Sequence, residues 1–317
     1  MKRGLAAIAL FAMTLAAQAQ TADPDLADID RAWSETPWTE LYETQLDASV
    51  ARSFTPPPES DIPDNEFGRL IRKGLAIFVD TPRQAPGYVG DGLSCSNCHL
   101  DRGRRPGSAP MWSAWVSYPQ FRAKNNAVNT IAMRIQGCFR FSMNGTPPAA
   151  ESEILVALQS YAYFLARGAP TGVKLEGAGF PALAEPEQEP DIARGLAAYI
   201  QKCAACHGEN GEGRRTNAGN RYQFPPLWGD ASYNWGAGMA NVDTAAAFIK
   251  HNMPWGLTDA LGDQEVWDIA IYVNSRERPQ DPRFTGNVAD TRAKFHETRW
   301  SLYGIAIDGH ILGEPTP

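Results

Sequence analysis

Two short stretches of the chain carry the same residue pattern. "SCSNCH" holds Cys95, Cys98 and His99, and "KCAACH" holds Cys203, Cys206 and His207. A C-x-x-C pair can form a redox disulfide, half of a zinc site or an anchor for haem. The histidine that follows at once, and the recurrence of the whole pattern, favour the last. In c-type attachment the two thiols add to the vinyl groups of the porphyrin and the next histidine ligates the iron. The expectation is two covalently bound haem c groups, with His99 and His207 as proximal ligands.

Each iron needs a second axial group or an open position for substrate. In the second half the candidate is Met253, in "FIKHNMPWG", because a soft thioether suits an electron-transfer haem. Met239, Lys250 and His251 are near enough in sequence to compete. "PPLWG" reads as a loop whose carbonyl, expected at Pro226, orients His207. The first half has no Met-Pro loop and offers Met143 or Cys138. Cys138 is the one cysteine of five outside the two motifs, and a thiolate is both an iron ligand and a sulfur nucleophile. An odd cysteine is otherwise paired between chains or buried and inert. Basic residues gather around it: Arg122 and Lys124 in "YPQFRAKNN", and Arg134 four positions upstream. A helix from Asn129 would put Arg134, Cys138 and Ser142 on one face. A guanidinium, a thiolate and a hydroxyl together suit a small oxyanion.

The elements that must position these groups are helical. "NEFGRLIRKGLAIFVDTP" has apolar residues at three-to-four spacing, and "SEILVALQSYAYFLARG" is amphipathic, with Ser152 as cap and Gly168 as stop. "PDIARGLAAYIQKCAACHG" and "GDQEVWDIAIYVNSRERP" repeat the plan in the second half. Gly74 and Gly195, each four residues before an aromatic (Phe78, Tyr199), suit a close helix crossing. Each half thus resembles a small class I cytochrome c domain. The expected fold is all-α, two such domains in tandem. The expected organisation is a signal peptide at 1–19, an N-terminal arm at 20–60, a first haem domain at 61–168, a Pro/Gly/Glu-rich linker at 169–189, a second haem domain at 190–283 and a C-terminal tail at 284–317, read as a surface wrap.

The start "MKRGLAAIALFAMTLAAQAQ" has a basic beginning, an apolar middle and Ala17-Gln18-Ala19, the pattern of a secretory leader cut after Ala19. Its apolar run is too short to span a membrane, and no other candidate span is visible. A periplasmic location follows, since haem is attached after export in such systems. The formal charge is -7; without Lys2 and Arg3 of the leader, 29 basic residues become 27 against 36 acidic, or -9. That argues against a nucleic-acid partner, which would ask for a basic footprint.

From about Phe54 to the tail the chain resembles the dihaem thiosulfate dehydrogenase family, also known for tetrathionate reduction. The resemblance rests on "FTPPPESDIPDNEFG", "GDGLSCSNCHLDRG", "RIQGCFRFSMNG", "FPPLWGDASYNWGAGM", "FIKHNMP" and "KFHETRWSLYG". It implies an active-site haem with His99 and Cys138 as axial ligands, and an electron-exporting haem with His207 and Met253. It also implies that Lys124, Arg134 and Ser142 are active-site groups. Relatives tend to read Arg-x-Arg where this chain has Arg122-Ala123-Lys124, which keeps the charge and loses one bidentate fork. Some relatives place a lysine on the second iron, a role open to Lys250.

The reading is oxidative coupling of two thiosulfate ions to tetrathionate, with electrons leaving to a downstream cytochrome or other redox acceptor. Two rivals stand beside it. A non-catalytic dihaem electron carrier predicts two His/Met haems and no use for Cys138. An enzyme of carrier-bound sulfane sulfur predicts no activity with free thiosulfate.

Overall fold

The computed structural model describes residues 53–217, 221–257 and 259–314. The signal peptide and most of the N-terminal arm lie outside the described residues. Two helical halves follow the repeat read in the sequence.

In the first half, α1 (Glu66–Val79) is started by Asn65, whose side chain accepts from Gly68 N. It buries Ile71, Gly74, Ile77 and Phe78 against α4 (Glu153–Leu165), capped by Ser152. Between them run α2 (Met111–Ser117) and α3 (Ile131–Gly137). A hairpin, β1 (Gln120–Arg122) and β2 (Ala127–Asn129), separates α2 from α3. In the second half, α5 (Ile192–Lys202), capped by Asp191, crosses α7 (Asp263–Asn274), and α6 (Val242–Asn252) packs on α7.

The two crossings are built alike. A Cβ at Gly74 would overlap Ala157 O and the Tyr161 side chain; one at Gly195 would overlap Asp268 O and the Tyr272 side chain. Both glycines therefore let two helix backbones touch. Tyr161 Oη donates to Arg102 O at 2.8 Å, and Tyr199 Oη donates to Gly208 O at 2.7 Å, each carbonyl lying just past a haem-binding motif. The α5–α7 crossing is also pinned by charge: Arg194 donates through Nε and Nη2 to the buried Asp268 carboxylate, at 2.7 and 2.8 Å.

One expectation needs adjustment. The helix expected to run from Asn129 through Ser142 stops at Gly137, and Cys138–Ser142 forms a π-turn. The tail wraps the second half and is anchored in its core. After α8 (Val288–Phe295) it turns back through β5 (Ala306–Ile307) and β6 (His310–Ile311), and it inserts Leu302, Tyr303 and Leu312 into the second core. Tyr303 stacks on His296 with ring centroids 4.3 Å apart and packs edge-on against Trp235. A third hairpin, β3 (Arg214–Arg215) with β4 (Tyr222–Phe224), meets the first half, where Asn97 Nδ2 donates to Tyr222 O at 3.3 Å. The linker is fastened to both halves: Gly177 O and Gly179 O accept from Gly107 N and Ala109 N, and Trp267 Nε1 donates to Ala184 O. No helix among the described residues is long and apolar enough to cross a membrane.

Candidate functional site

The first motif closes a slot in the core of the first half. Phe78, Leu93, Met111, Ile135 and Leu158 give it apolar walls, and Cys95, Cys98, His99, Cys138, Ser142 and Met143 also line it. His99 Nδ1 lies 2.7 Å from Ala109 O. A carbonyl only accepts, so Nδ1 carries the proton and Nε2 is left bare for a metal. The linker bonds to Gly107 and Ala109 hold that carbonyl in place. The Cys138 thiol lines the same slot as the His99 ring, close enough for the two to interact. The two attachment thiols, apolar walls, a bare imidazole nitrogen and a facing sulfur fit a haem with His and Cys axial ligands. Met143, the other candidate ligand, lines the same slot.

Cys138 opens the π-turn at the end of α3. Thr130 caps the start of that helix by accepting from Met133 N, so the α3 backbone carries Arg134 one turn before the cysteine. Arg134 Nη1 donates to Cys138 Sγ at 3.1 Å. Burial pushes the Cys138 thiol up, but Arg134, His99 and Lys124 together outweigh it and bring its pKa down to about 6. The cysteine is therefore a thiolate at neutral pH. The same pairing raises the Arg134 guanidinium further above its ordinary range, the thiolate being the main cause.

Lys124 sits in the turn between β1 and β2. The residue is exposed overall, but its ammonium is enclosed: it stands 4.4 Å over the Phe141 ring and donates to Gly236 O in the second half. Burial first, then Arg283 and Arg134, lower its pKa to about 8. Ser142 closes the π-turn and lines the slot with Cys138. Arg122 lies on β1, partly buried. Cys138 and Ser142 thus line the slot, Arg134 bonds the Cys138 sulfur, and Lys124 is near enough to both Arg134 and Cys138 for their charges to act on it.

In the second half, Cys203 caps the end of α5, and Cys206 and His207 lie in the helical turn Ala204–His207. His207 Nδ1 lies 2.8 Å from Pro225 O, which again leaves Nε2 free. The orienting carbonyl is therefore Pro225 and not Pro226, whose oxygen accepts from Ser232 Oγ instead. Burial lowers the His207 pKa, which keeps the ring neutral as a ligand must be. Met253 is the C-terminal cap of α6 and is partly buried. Lys250 Nζ donates to Leu261 O at 2.7 Å and pairs with Asp263 at 2.7 Å, and His251 pairs with Asp259 at 3.2 Å. Met239 lies in the short turn Gly238–Ala240 and packs against the second core. Among the described residues no three His, Cys, Asp or Glu side chains converge as a metal cage.

Sequence reasoning missed a second tier of residues behind Lys124. Two cations stand against the Phe141 ring, Lys124 at 4.4 Å and Arg283 at 5.0 Å. Arg283 gives Nε and Nη2 to the two oxygens of the buried Asp281, at 3.0 and 2.7 Å. Asp281 also takes His296 Nε2 at 2.9 Å, and His296 Nδ1 meets Ser301 Oγ at 3.1 Å. Desolvation opposes the Asp281 charge, but His296 and Arg283 hold its carboxyl far below the usual range. His296 and Ser301 lie in "KFHETRWSLYG", a stretch singled out in the sequence without a role.

Comparison with known proteins places this geometry. Residues 88–171 match the family described as SoxA/TsdA, cytochrome c domain, and residues 192–277 match the cytochrome c family. A protein of Thiomonas intermedia named thiosulfate dehydrogenase is 52% identical over 274 residues, which cover 86% of this chain and 87% of that one. One of the same name from Stutzerimonas stutzeri is 52% identical, covering 82% and 85%, and one from Allochromatium vinosum is 40% identical, covering 74% and 88%. A solved structure of the Marichromatium purpuratum thiosulfate dehydrogenase (TsdBA), in its as-isolated form, superposes with a TM-score of 0.79 at 48% identity. That match covers 85% of this chain and 59% of the longer relative.

Proposed function

The chain belongs to the thiosulfate dehydrogenase family and carries two covalently bound c-type haems in tandem cytochrome c domains, and from that premise we propose how its own residues act. The reaction is the coupling of two thiosulfate ions to tetrathionate with release of two electrons, in the periplasm, and it is reversible. The observation that carries this is the half-buried Cys138 sulfur, paired with Arg134 and set beside His99 in the first slot.

When bound, the two haems would supply one-electron acceptors, the first beside the Cys138 sulfur and the second as the outlet to an external acceptor. The protein must bring two dianions together. At about 4 Å and an effective dielectric of 20, two unit charges already repel by about 4 kcal/mol, and two dianions have four times the charge product. Arg134 and Lys124 offset that repulsion, with Arg122 at the rim, and Ser142 Oγ donates to a sulfonate oxygen. The Cys138 thiolate joins the outer sulfur of one thiosulfate, forming Cys–S–S–SO3⁻ and releasing two electrons. A second thiosulfate attacks the outer sulfur of that adduct. Tetrathionate leaves and the Cys138 thiolate returns, as in thiol–disulfide exchange. His207 and Met253 would hold the second iron; Lys250 is tied to Leu261 and Asp263 and would have to let go of both before ligating it.

The test is thiosulfate-dependent reduction of an artificial acceptor by wild type and by Cys138→Gly. Loss of turnover in the variant, with the second haem intact, supports the reading. Turnover at the wild-type rate would leave the electron-carrier alternative as the better account.

A further inference from the structure

Asn234 lies in the second half, in the stretch "SYNWG", and is 0% exposed. A buried amide must find partners for its two donor hydrogens and its carbonyl oxygen. Asn234 places all of them on the segment that carries Cys138 or on the loop that holds Lys124.

The carbonyls of the Cys138 segment show why. A helix that ends leaves its last carbonyls without in-helix donors, and a π-turn shifts which donors remain. Cys138 O takes Met143 N at 3.0 Å, the five-residue bond of the π-turn, and Phe139 O takes Gly145 N at 2.8 Å. Among the described residues, the next two carbonyls take their donors from the other half. Arg140 O accepts from Asn234 Nδ2 at 2.9 Å, and Phe141 O accepts from Asn234 N at 3.2 Å. The same Nδ2 group donates to Asn144 Oδ1 at 3.0 Å. Asn234 Oδ1 accepts from Gly236 N at 3.1 Å, and Gly236 O in turn receives the Lys124 ammonium. Gly236 itself has no room for a side chain, because a Cβ would run into the Phe141 ring.

We propose that Asn234 is a positioning residue for the first-haem site. It closes the π-turn from outside and so sets where the Cys138 sulfur stands between Arg134 and His99. Through Gly236 it also sets the carbonyl that docks Lys124. The second half is therefore part of the catalytic wall as well as the electron outlet. Without the amide donor, Arg140 O and Asn144 Oδ1 lose a partner. The segment then gains by rewinding toward α-helical bonding, in which Ser142 N takes Cys138 O, and this turns both Ser142 and Cys138 within the slot. This inference rests on the assignment of Cys138 as the first-haem thiolate.

The experiment uses the full haem-loaded chain and three variants: Asn234→Ala, Asn234→Asp and Asn144→Gly. Asp keeps the size of Asn and the acceptor for Gly236 N but removes the donor. Asn144→Gly removes only the Asn144 Oδ1 contact and tolerates the left-handed backbone at that position, where φ is 44°. Three quantities are read: the low-temperature EPR spectrum of the oxidised protein, the red-end visible band of a His/Met haem, and kcat and KM for thiosulfate. In both Asn234 variants the thiolate signal shifts or splits and kcat falls on the order of tenfold or more, while the His/Met band stays unchanged. Asn144→Gly moves the same signal in the same direction by less. Wild-type g values and kcat in both Asn234 variants would overturn the proposal, and so would equal damage at both haems, the result of a general loss of structure. A wild-type spectrum with no thiolate signal overturns the Cys138 assignment and this inference with it, and is distinguishable because it needs no variant.

Discussion

Removing the Arg134 guanidinium strips the Cys138 sulfur of its nearest cation. The Nη1–Sγ distance is 3.1 Å. At an effective dielectric of 20, two unit charges at that distance attract by about 5 kcal/mol. Part of this is cancelled by the desolvation that opposes both charges, so the net value falls in the range of a charge-assisted hydrogen bond, about 1.5–3 kcal/mol. In Arg134→Ala the stabilisation of the thiolate and of the bound anion drops by that amount. The thiol pKa rises by about one to two units, at 1.36 kcal/mol per unit, and kcat/KM for thiosulfate falls roughly tenfold to 150-fold. Arg134→Lys keeps a charge and loses the fork, so it recovers part of the deficit. The assay is steady-state reduction of an artificial acceptor over a range of thiosulfate concentrations, with haem content matched between proteins. A kcat/KM within threefold of wild type in Arg134→Ala would refute the pairing as a source of catalysis.

Other outcomes follow from the same geometry. Lys124 titrates near pH 8 because burial, Arg283 and Arg134 all disfavour its charge, against the pull of Asp281 and Cys138. KM for thiosulfate should therefore rise as pH climbs through about 8 and the ammonium is lost. Lys124→Arg should flatten that rise, and an unchanged pH profile in this variant would show that Lys124 does not face substrate. Gly195→Ala forces α5 off α7 at Asp268 O; thermal unfolding followed at the second haem should show a loss of about 1–3 kcal/mol, and wild-type stability would contradict the crossing. Met253→Gly should erase the red-end band of the second haem in the oxidised spectrum and spare the first haem, whereas loss of that band in Met239→Gly instead would move the ligand.

Local chemistry was legible in the sequence wherever one residue type has few uses. The C-x-x-C-H motifs, the odd Cys138 and the spacing of Arg134 to Cys138 could be read because each acts with a neighbour within a few positions. Gly74 and Gly195 could be read because a glycine in a helical pattern asks for a packing reason, and both turn out to touch a carbonyl of the crossing helix. The misreadings lie where local pattern and long-range bonding disagree. The stretch "GCFRFS" is compatible with plain α-helix, and only partners such as Asn234, more than ninety positions away, let its carbonyls settle in a π-turn. Pro225 and Pro226 are adjacent prolines with one carbonyl each, and nothing local says which one turns toward His207. The tail's anchoring was not legible because Leu302, Tyr303 and Leu312 follow no regular period and His296 meets Asp281 only in the fold. Such networks have no sequence period, so they become visible only when the fold brings their members together.

The central claim is that the Cys138 thiolate stands opposite His99 at the first iron and does the sulfur chemistry. Low-temperature EPR of the oxidised, haem-loaded protein tests it most directly, comparing wild type with Cys138→Gly at equal haem content. Wild type should show a low-spin signal with the narrow g spread of thiolate ligation beside the wider His/Met signal, and the variant should lose the first and keep the second. Identical spectra from the two proteins would contradict the account.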